Sequence, residues 1–187
     1  MRHCQKNFAF ASLESSLNTI SSHFLPACRD EIYTLLWEIG SNALKYGVRD
    51  LYAPVQLVQA QSAKSISPSY LAHCTAGVLY ILIQESTTRK SAKTLHLCFC
   101  YQVPITRFSK SPQARSVKQL SQTLAPKNPH PSKSSPHHNG LGHRLINHYA
   151  NVFCYNAPKL SIPCAHIRAI SLHIKGTYLA FRHGKTQ

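Results

Sequence analysis

Residues 31–47 carry the pattern that most restricts how this chain can fold. With about 100° of rotation per residue, the large apolar side chains of this segment fall within one arc of a helix, and a polar stripe borders that arc. Glu38, Asn42 and Lys45 form the stripe, at about 0°, 40° and −20°. The pattern predicts a helix whose core-facing residues are Ile32, Leu35, Leu36, Ile39 and Ala43.

The polar stripe has a chemical interpretation and a structural one. A carboxylate and an amide one helical turn apart, as in Glu38 and Asn42, can hold a divalent cation or its water ligands. A nearby lysine such as Lys45 can meet a phosphate. The structural alternative is an ordinary surface helix with a polar i,i+4 pair.

Glycines precede another predicted helix, over residues 141–153. The run Asn139-Gly140-Leu141-Gly142 would let backbone N–H groups approach an anion at the start of this helix, where the helix dipole favours negative charge. The alternative is a flexible junction between a loop and a helix. The full GxGxxG dinucleotide pattern is absent, because position 145 is Leu.

Capping residues predict where the helices of the first half begin and end. Ser12 or Ser15 would cap a helix over residues 13–24. Asp30 is a candidate N-cap for the helix with the polar stripe, and acids in its first turn suit the helix dipole. Gly47 is a candidate C-terminal stop for the same helix.

Runs of β-branched and large apolar residues predict the strands. Residues 77–84 and 94–103 are the strongest, and the polar residues 86–93 between them predict a turn and an antiparallel pair. Together with the helices, the strands predict an α+β fold, a two-layer sandwich with helices on one face of a mixed β-sheet. Weaker strands are predicted over residues 7–11, 54–60, 151–156, 166–174 and 177–182.

A long polar segment interrupts this pattern. Residues 104–140 contain six prolines, many Ser and Lys residues and few large apolar ones. This composition is typical of a mobile loop rather than of packed structure. We therefore predict a single domain over residues 1–187, with a long mobile loop over residues 104–139.

Charge is unevenly divided along the chain. Residues 1–85 contain six basic and six acidic residues, whereas residues 86–187 contain fifteen basic residues and no acid. Such a half would be attracted to phosphate, RNA, DNA or an acidic protein, so a nucleic-acid-binding protein is one hypothesis. Aromatic residues are not interleaved with the basic ones in residues 104–140, so a base-stacking surface is not predicted there. The alternative is a basic surface without a dedicated partner.

Hydropathy and cysteine usage favour a cytoplasmic protein without a membrane partner. No apolar run reaches the roughly 18–20 residues of a membrane span, and the N-terminal apolar patch is too short for a signal-peptide core. Seven cysteines without a CxxC pair indicate buried thiols in a reducing compartment, with a disulfide scaffold or a Cys-rich zinc site as alternatives. Cys98 and Cys100 would share one face of a strand. Four histidines indicate either a polar loop or a transition-metal site: His130, His137, His138 and His143.

Three motifs in this order resemble a known superfamily. Residues 37–47, WEIGSNALKYG, resemble the N box of the GHKL, or histidine-kinase-like, ATPases. Residues 140–146, GLGHRLI, followed by Ala150-Asn151, resemble the second glycine box and its helix. Lys175-Gly176-Thr177, before a strand predicted over Tyr178–Phe181, resembles the Gly-Thr turn that precedes the family's final strand. The short format looks most like the stand-alone anti-sigma-factor serine/threonine kinases.

This resemblance implies a Bergerat-type ATP-binding fold and a regulatory protein that binds ATP and Mg²⁺. Glu38 would polarise the attacking water or hydroxyl as the catalytic residue, and Asn42 would hold the metal against the triphosphate. Residues 104–139 would form the ATP lid. The partner would be a protein such as a sigma factor or an anti-anti-sigma-like protein, and a homodimer is left open. The implied nucleotide-binding residues are Asn42, Lys45, Gly140, Leu141, Gly142 and Thr177.

The family's first glycine box, D-x-G-x-G after a strand, is not found. The strand predicted over residues 94–103 ends in Tyr101-Gln102-Val103 without Asp or Gly, and no acid follows Glu85. Gln84-Glu85-Ser86 would substitute only if the register differs. Because the family's Asp hydrogen-bonds the adenine amino group, its absence motivates an alternative, a degenerate and non-catalytic binding module of the same fold.

Overall fold

The computed structural model describes five stretches of the chain: residues 6–7, 10–59, 74–87, 93–103 and 141–180. By internal contacts the chain divides into one unit of Met1–Pro104 with Leu141–Gln187 and a second of Ile105–Gly140. The second unit, with nearly all of the predicted lid, lies outside the described residues. All described helices and strands belong to the first unit.

Helices and strands within these stretches give an α+β protein, which confirms the predicted class. The α-helices are α1 Leu13–Ser21, α2 Arg29–Asn42 and α3 Leu141–Phe153. A π-helical turn, Ala43–Val48, extends α2. None of the helices in the described stretches has the length and apolar character that crossing a membrane would require. The strands are β1 Lys6–Asn7, β2 Val55–Gln59, β3 Leu79–Thr87, β4 Lys93–Gln102, β5 Lys159–Cys164 and β6 Ile167–Ile174.

These strands form one mixed sheet in the order β1-β2-β3-β4-β6-β5. β2 and β3 are parallel, and the other neighbours are antiparallel. β3 and β4 pair from Leu79 opposite Tyr101 to Thr87 opposite Lys93, which confirms the predicted antiparallel pair. β4 has a hydrogen-bonded neighbour along both sides, so its backbone is held more firmly than that of an edge strand.

The two edges of the sheet are short or irregular. β1 spans only two residues. At the other edge, the pairing of β5 with β6 shifts register between Ser161 and Cys164. Pro163 lies within this irregular stretch and has no N–H to donate to a neighbouring strand. The regular ladder is therefore carried by β2, β3, β4 and β6.

The helices pack on one face of the sheet. Their buried side chains form one core cluster with alternate residues of β4, namely Leu95, Leu97, Phe99 and Tyr101. The intervening residues of β4 point to the other face, because successive side chains of a strand alternate. A second, smaller cluster on that face contains Cys98 and Cys100.

The starts of α1 and α2 differ in how they are capped. The backbone N–H of Ser15 donates to Oγ of Ser12 at 3.1 Å, so the prediction of Ser12 as a cap is confirmed. The prediction of Asp30 as a cap is wrong. Cys28 occupies the N-cap position of α2, and Asp30 lies inside the first turn, where its charge suits the helix dipole.

The end of the α2 helix also differs from the prediction. Gly47 does not stop the helix, since the π-helical turn continues through Val48. Arg49 instead adopts the left-handed conformation, with φ of 67°, that ends the turn. Gly47 instead allows the π-helical turn to approach the sheet closely, at the ring of Tyr101 in β4.

Two of the strands predicted near the C-terminus are wrong. The prediction for residues 151–156 fails because α3 continues to Phe153 and β5 begins only at Lys159. The prediction for residues 177–182 fails over its described part, where Gly176–Tyr178 form a 3-10 turn and Leu179 makes only an isolated bridge to Phe24. The strand predicted over residues 166–174 corresponds to β6.

Candidate functional site

The polar stripe of α2 lies beside the first turn of α3. Gly142 is the second residue of α3, and a Cβ placed on it would lie 2.5 Å from Oε2 of Glu38 and 4.0 Å from Nδ2 of Asn42. A side chain at position 142 would therefore require the Glu38 carboxylate to move. The fold thus brings together three predicted site residues that belong to two distant segments of the sequence.

A carboxylate at this place faces the positive end of a helix dipole. α3 has 13 residues and no acidic side chain in its own first turn, so the nearby negative charge comes from Glu38. Glu38 and Asn42 are both half-buried. A divalent cation held by these two side chains could share the junction with an anion bound at the N-terminus of α3.

Other predicted site residues lie at the edge of this junction or beyond it. Lys45 is exposed in the π-helical turn, and its Nζ lies 5.2 Å from the centre of the Tyr46 ring, within cation–π range. Leu141 begins α3 with 61% of its surface exposed. Gly140 lies outside the described residues, as do three of the four predicted metal-binding histidines. The fourth, His143, is exposed in the first turn of α3.

Thr177 is not brought to the junction. Its neighbour Gly176 packs so tightly on the main chain of Lys93 that a Cβ would overlap the Lys93 carbonyl oxygen. Lys93 is the first residue of β4. Tyr101 contacts the π-helical turn after α2 and lies about 26 Å further along the same strand, at roughly 3.3 Å per residue. Gly176 and Thr177 also follow the last described strand instead of preceding it.

Tyr101 is absent from the predicted site, yet it borders the helix that carries the stripe. A Cβ on Gly47 would overlap the Tyr101 ring, so the ring and the π-helical turn are in close contact. Only 9% of Tyr101 is exposed, and this burial raises the pKa of its hydroxyl against a smaller opposing effect of Arg168. The alternation of apolar residues along β4 is the sequence signal that places Tyr101 on the helix side.

Glu85 is too far from the junction to replace the aspartate of the D-x-G-x-G pattern that the sequence lacks. It pairs with Leu95 near the start of β4, and its Oε1 lies 3.2 Å from Nδ1 of His23. Both side chains line a cavity of about 410 Å³ at the Lys93 end of the sheet. Substitution of the family's aspartate by the segment around Glu85 is therefore not supported by the register of β3 and β4.

The junction between α2 and α3 is the candidate functional site. Glu38 and Asn42 offer oxygen ligands that suit Mg²⁺, which keeps several waters and does not need a full protein cage. No group of three or more His, Cys, Asp or Glu side chains in the described stretches is arranged to hold a metal ion by itself. The chain matches no protein-family model, no curated protein and no solved structure.

Proposed function

We propose that this chain binds a magnesium nucleotide, with ATP as the expected ligand, in the manner of the histidine-kinase-like ATPases. The observation that carries the proposal is the close approach of Gly142 to Glu38 and Asn42. The resemblance requires the N box and the second glycine box to meet at the phosphates, and these residues belong to the two boxes. A Bergerat-type fold for the α+β sheet is part of the same proposal.

Each residue of the junction has a role in this proposal. Asn42 holds Mg²⁺, and the backbone N–H groups around Gly140, Leu141 and Gly142 bind the phosphates at the N-terminus of α3. Mg²⁺, when bound, neutralises phosphate charge. Glu38 accepts a proton from the attacking hydroxyl or water. Lys45 adds positive charge at the rim of the site.

The regulatory role follows from the same resemblance. The anti-sigma-factor kinases act on protein partners, so we expect a partner such as a sigma factor or an anti-anti-sigma-like protein. Residues 86–187 contain fifteen basic residues and no acid. This charge suits a partner with an acidic docking surface. Self-association into a homodimer is compatible with this role.

Tyr101 favours a second candidate function, a degenerate module that binds without turnover. The ring occupies the helix side of the sheet at the end of β4, where the family pattern has its adenine-binding Asp. A site closed in this way would retain the phosphate end but lose the hydrogen bond that selects adenine. Such a module would bind partner proteins and respond to a polyphosphate without transferring phosphate.

Isothermal titration calorimetry with Mg-ATP, Mg-GTP and Mg-tripolyphosphate tests both candidates. We expect Mg-dependent binding that Asn42→Ala weakens, whereas Glu31→Gln, which changes an exposed acid in the first turn of the same helix, leaves it unchanged. A nucleotide at 100 times its Kd would also add about 2.7 kcal/mol to the free energy of unfolding. Absence of heat and of thermal protection at millimolar Mg-ATP would overturn the proposal.

The selectivity and the chemistry then separate the two candidates. Preference for ATP over the other two ligands would support the kinase-like function, and equal affinity would support the degenerate module. Transfer of phosphate to Ser or Thr of a partner protein, abolished by Glu38→Ala, would exclude the degenerate module.

A further inference from the structure

Four cysteines gather on the sheet face that is turned away from the helices. Cys98 and Cys100 are almost completely buried there, and Cys74 and Cys164 pack at the edge of the same cluster while remaining partly exposed. The prediction that Cys98 and Cys100 share a face is confirmed. Their Sγ atoms lie 3.3 Å apart, and all four thiols are free.

The geometry does not favour a disulfide between Cys98 and Cys100. A disulfide needs sulfurs about 2.05 Å apart, and two residues of an extended strand have Cα atoms about 6.6–6.8 Å apart, at the upper limit for such a bond. The backbone of β4 cannot shorten easily here, because Cys98 is paired with Leu82 on one side and Ser171 on the other. The thiols are therefore close without being placed to oxidise together.

The same geometry suits one ion that bridges the sulfurs. With metal–sulfur bonds of about 2.3 Å, linear coordination places two sulfurs about 4.6 Å apart, so rotation of the side chains would have to widen the present separation of 3.3 Å. Oγ of Ser171 donates to Sγ of Cys98 at 3.4 Å.

Neighbouring histidines do not complete a larger site. His96 lies on the same face two residues before Cys98, but its ring stacks on His173 with the ring centres 4.0 Å apart. No third His, Cys, Asp or Glu in the part of the chain that the structure describes is positioned as a ligand. Zn²⁺ requires about four ligands, whereas soft monovalent ions accept two thiolates.

We propose that Cys98 and Cys100 form a two-coordinate thiolate site for a soft monovalent metal ion of the Cu⁺ class. Each thiol releases its proton to solvent as it binds the ion. The partly exposed thiols of Cys74 and Cys164 pack against the same cluster and would provide an entry path for a thiophilic ion. This inference is independent of the nucleotide site, which lies on the helix face of the sheet.

Anaerobic titration of the reduced, full-length chain with Cu⁺ against a chromophoric Cu⁺ chelator tests this site. We expect one tightly held Cu⁺ per chain, with thiolate-to-copper absorption in the ultraviolet and only sulfur ligands by X-ray absorption. The double variant Cys98→Ser/Cys100→Ser loses this ion. The matched control Cys28→Ser/Cys154→Ser, which removes two thiols buried among the helix-side core, retains it.

Two further variants keep the test decisive if buried serines disturb folding. Ser171→Ala leaves both thiols in place and removes the hydrogen bond to Cys98, so the affinity for Cu⁺ should fall about tenfold. Cys74→Ser/Cys164→Ser should slow uptake and leave the final stoichiometry unchanged. Complete loss of the ion in this last variant, binding of Zn²⁺ with four sulfur ligands, or unaltered Cu⁺ binding in Cys98→Ser/Cys100→Ser would overturn the proposal.

Discussion

Two glycines permit close contacts with the helix that runs from α2 into the π-helical turn, and the two contacts differ in chemistry. At Gly142 the neighbouring atoms are the carboxylate of Glu38 and the amide of Asn42, the ends of polar side chains. At Gly47 the neighbour is the buried ring of Tyr101. The first contact joins two helices, and the second joins a helix to the sheet.

Within the proposed nucleotide site, the two contacts would differ in how readily a ligand could displace them. A carboxylate at the end of a flexible side chain can rotate away when a ligand binds, so the Gly142 contact can exchange partners. A buried aromatic ring in a packed core cannot leave without creating a cavity. In the proposed nucleotide site, the phosphate-facing half would therefore be adjustable, whereas the half nearest the expected adenine position would be filled by the Tyr101 ring.

The largest expected effect comes from Tyr101→Ala, which removes the ring that contacts Gly47. We expect the free energy of unfolding to fall by about 3–5 kcal/mol, as for other large aromatic truncations in cores. We also expect the affinity for ATP to rise relative to tripolyphosphate, because the base gains space beside Gly47. Urea denaturation and calorimetry measure the two quantities. A stability loss below about 1 kcal/mol would show that the ring is not a packed part of the core.

Gly47→Ala should have the next largest effect, because its Cβ would overlap the same ring. Overpacking of this kind costs about 1–3 kcal/mol. In a Tyr101→Leu background the added methyl group has room, so the two substitutions should couple strongly in a double-mutant cycle. If urea denaturation shows that the two effects simply add, the contact between Gly47 and Tyr101 is contradicted.

Gly142→Ala should change stability little and binding greatly. The Glu38 carboxylate can rotate away from the new Cβ, and replacement of glycine in a helix returns up to about 1 kcal/mol of helix propensity. The displaced carboxylate and the occupied space should weaken Mg-nucleotide binding at least about tenfold, or about 1.4 kcal/mol. Asn151→Ala, exposed near the other end of α3, is the control that should leave nucleotide affinity intact. Equal affinities of the Gly142 variant and the wild type would place the ligand elsewhere.

The smallest expected effect is the contribution of the buried Tyr101 hydroxyl to the loss of stability at alkaline pH. Burial raises the pKa of Tyr101 above the value near 10 that it has in the unfolded chain. The folded state then holds the proton more tightly, so this contribution is complete below pH 10 and is lost as pH rises through the folded pKa. Urea midpoints at pH 8 and above pH 10 should show less alkaline destabilisation in Tyr101→Phe. Tyr52→Phe is the control, because Tyr52 is 95% exposed and its hydroxyl is not part of the core.

Local patterns were sufficient to predict α3, the β3–β4 pair and the part of the polar stripe formed by Glu38 and Asn42, whereas Lys45 lies in the π-helical turn. Residues 141–153 have a clear helical period, and the structure begins and ends α3 at those residues. The apolar runs of β3 and β4 and the polar link between them predicted their antiparallel pairing. The meeting of the stripe with Gly142 followed from two motifs interpreted together, and neither motif alone would have placed it.

Other features depend on contacts that no local pattern contains. Glycine is typical of a helix C-terminus, but the helix continues past Gly47. The lack of a side chain at Gly47 instead makes room for the ring of Tyr101, 54 positions later in the sequence. The parallel pairing of β2 with β3 is likewise set by the fold and not by either strand's sequence. Thr177 matched a short Gly-Thr pattern, yet tight packing of Gly176 on Lys93 explains that glycine without any ligand. Short glycine motifs are ambiguous because close packing and ligand binding both select them.

The irregular edge formed by β5 affects how copies of this chain meet. A flat, regular edge strand offers a row of free N–H and C=O groups to which another molecule can add a strand, and such addition is a route to fibrils. The register shift between Ser161 and Cys164 interrupts that row, and Pro163 removes one of its donors. With only two residues in β1 at the opposite edge, the sheet presents no long template for growth at either described edge. At these two described edges, association between copies would use side-chain surfaces rather than backbone pairing.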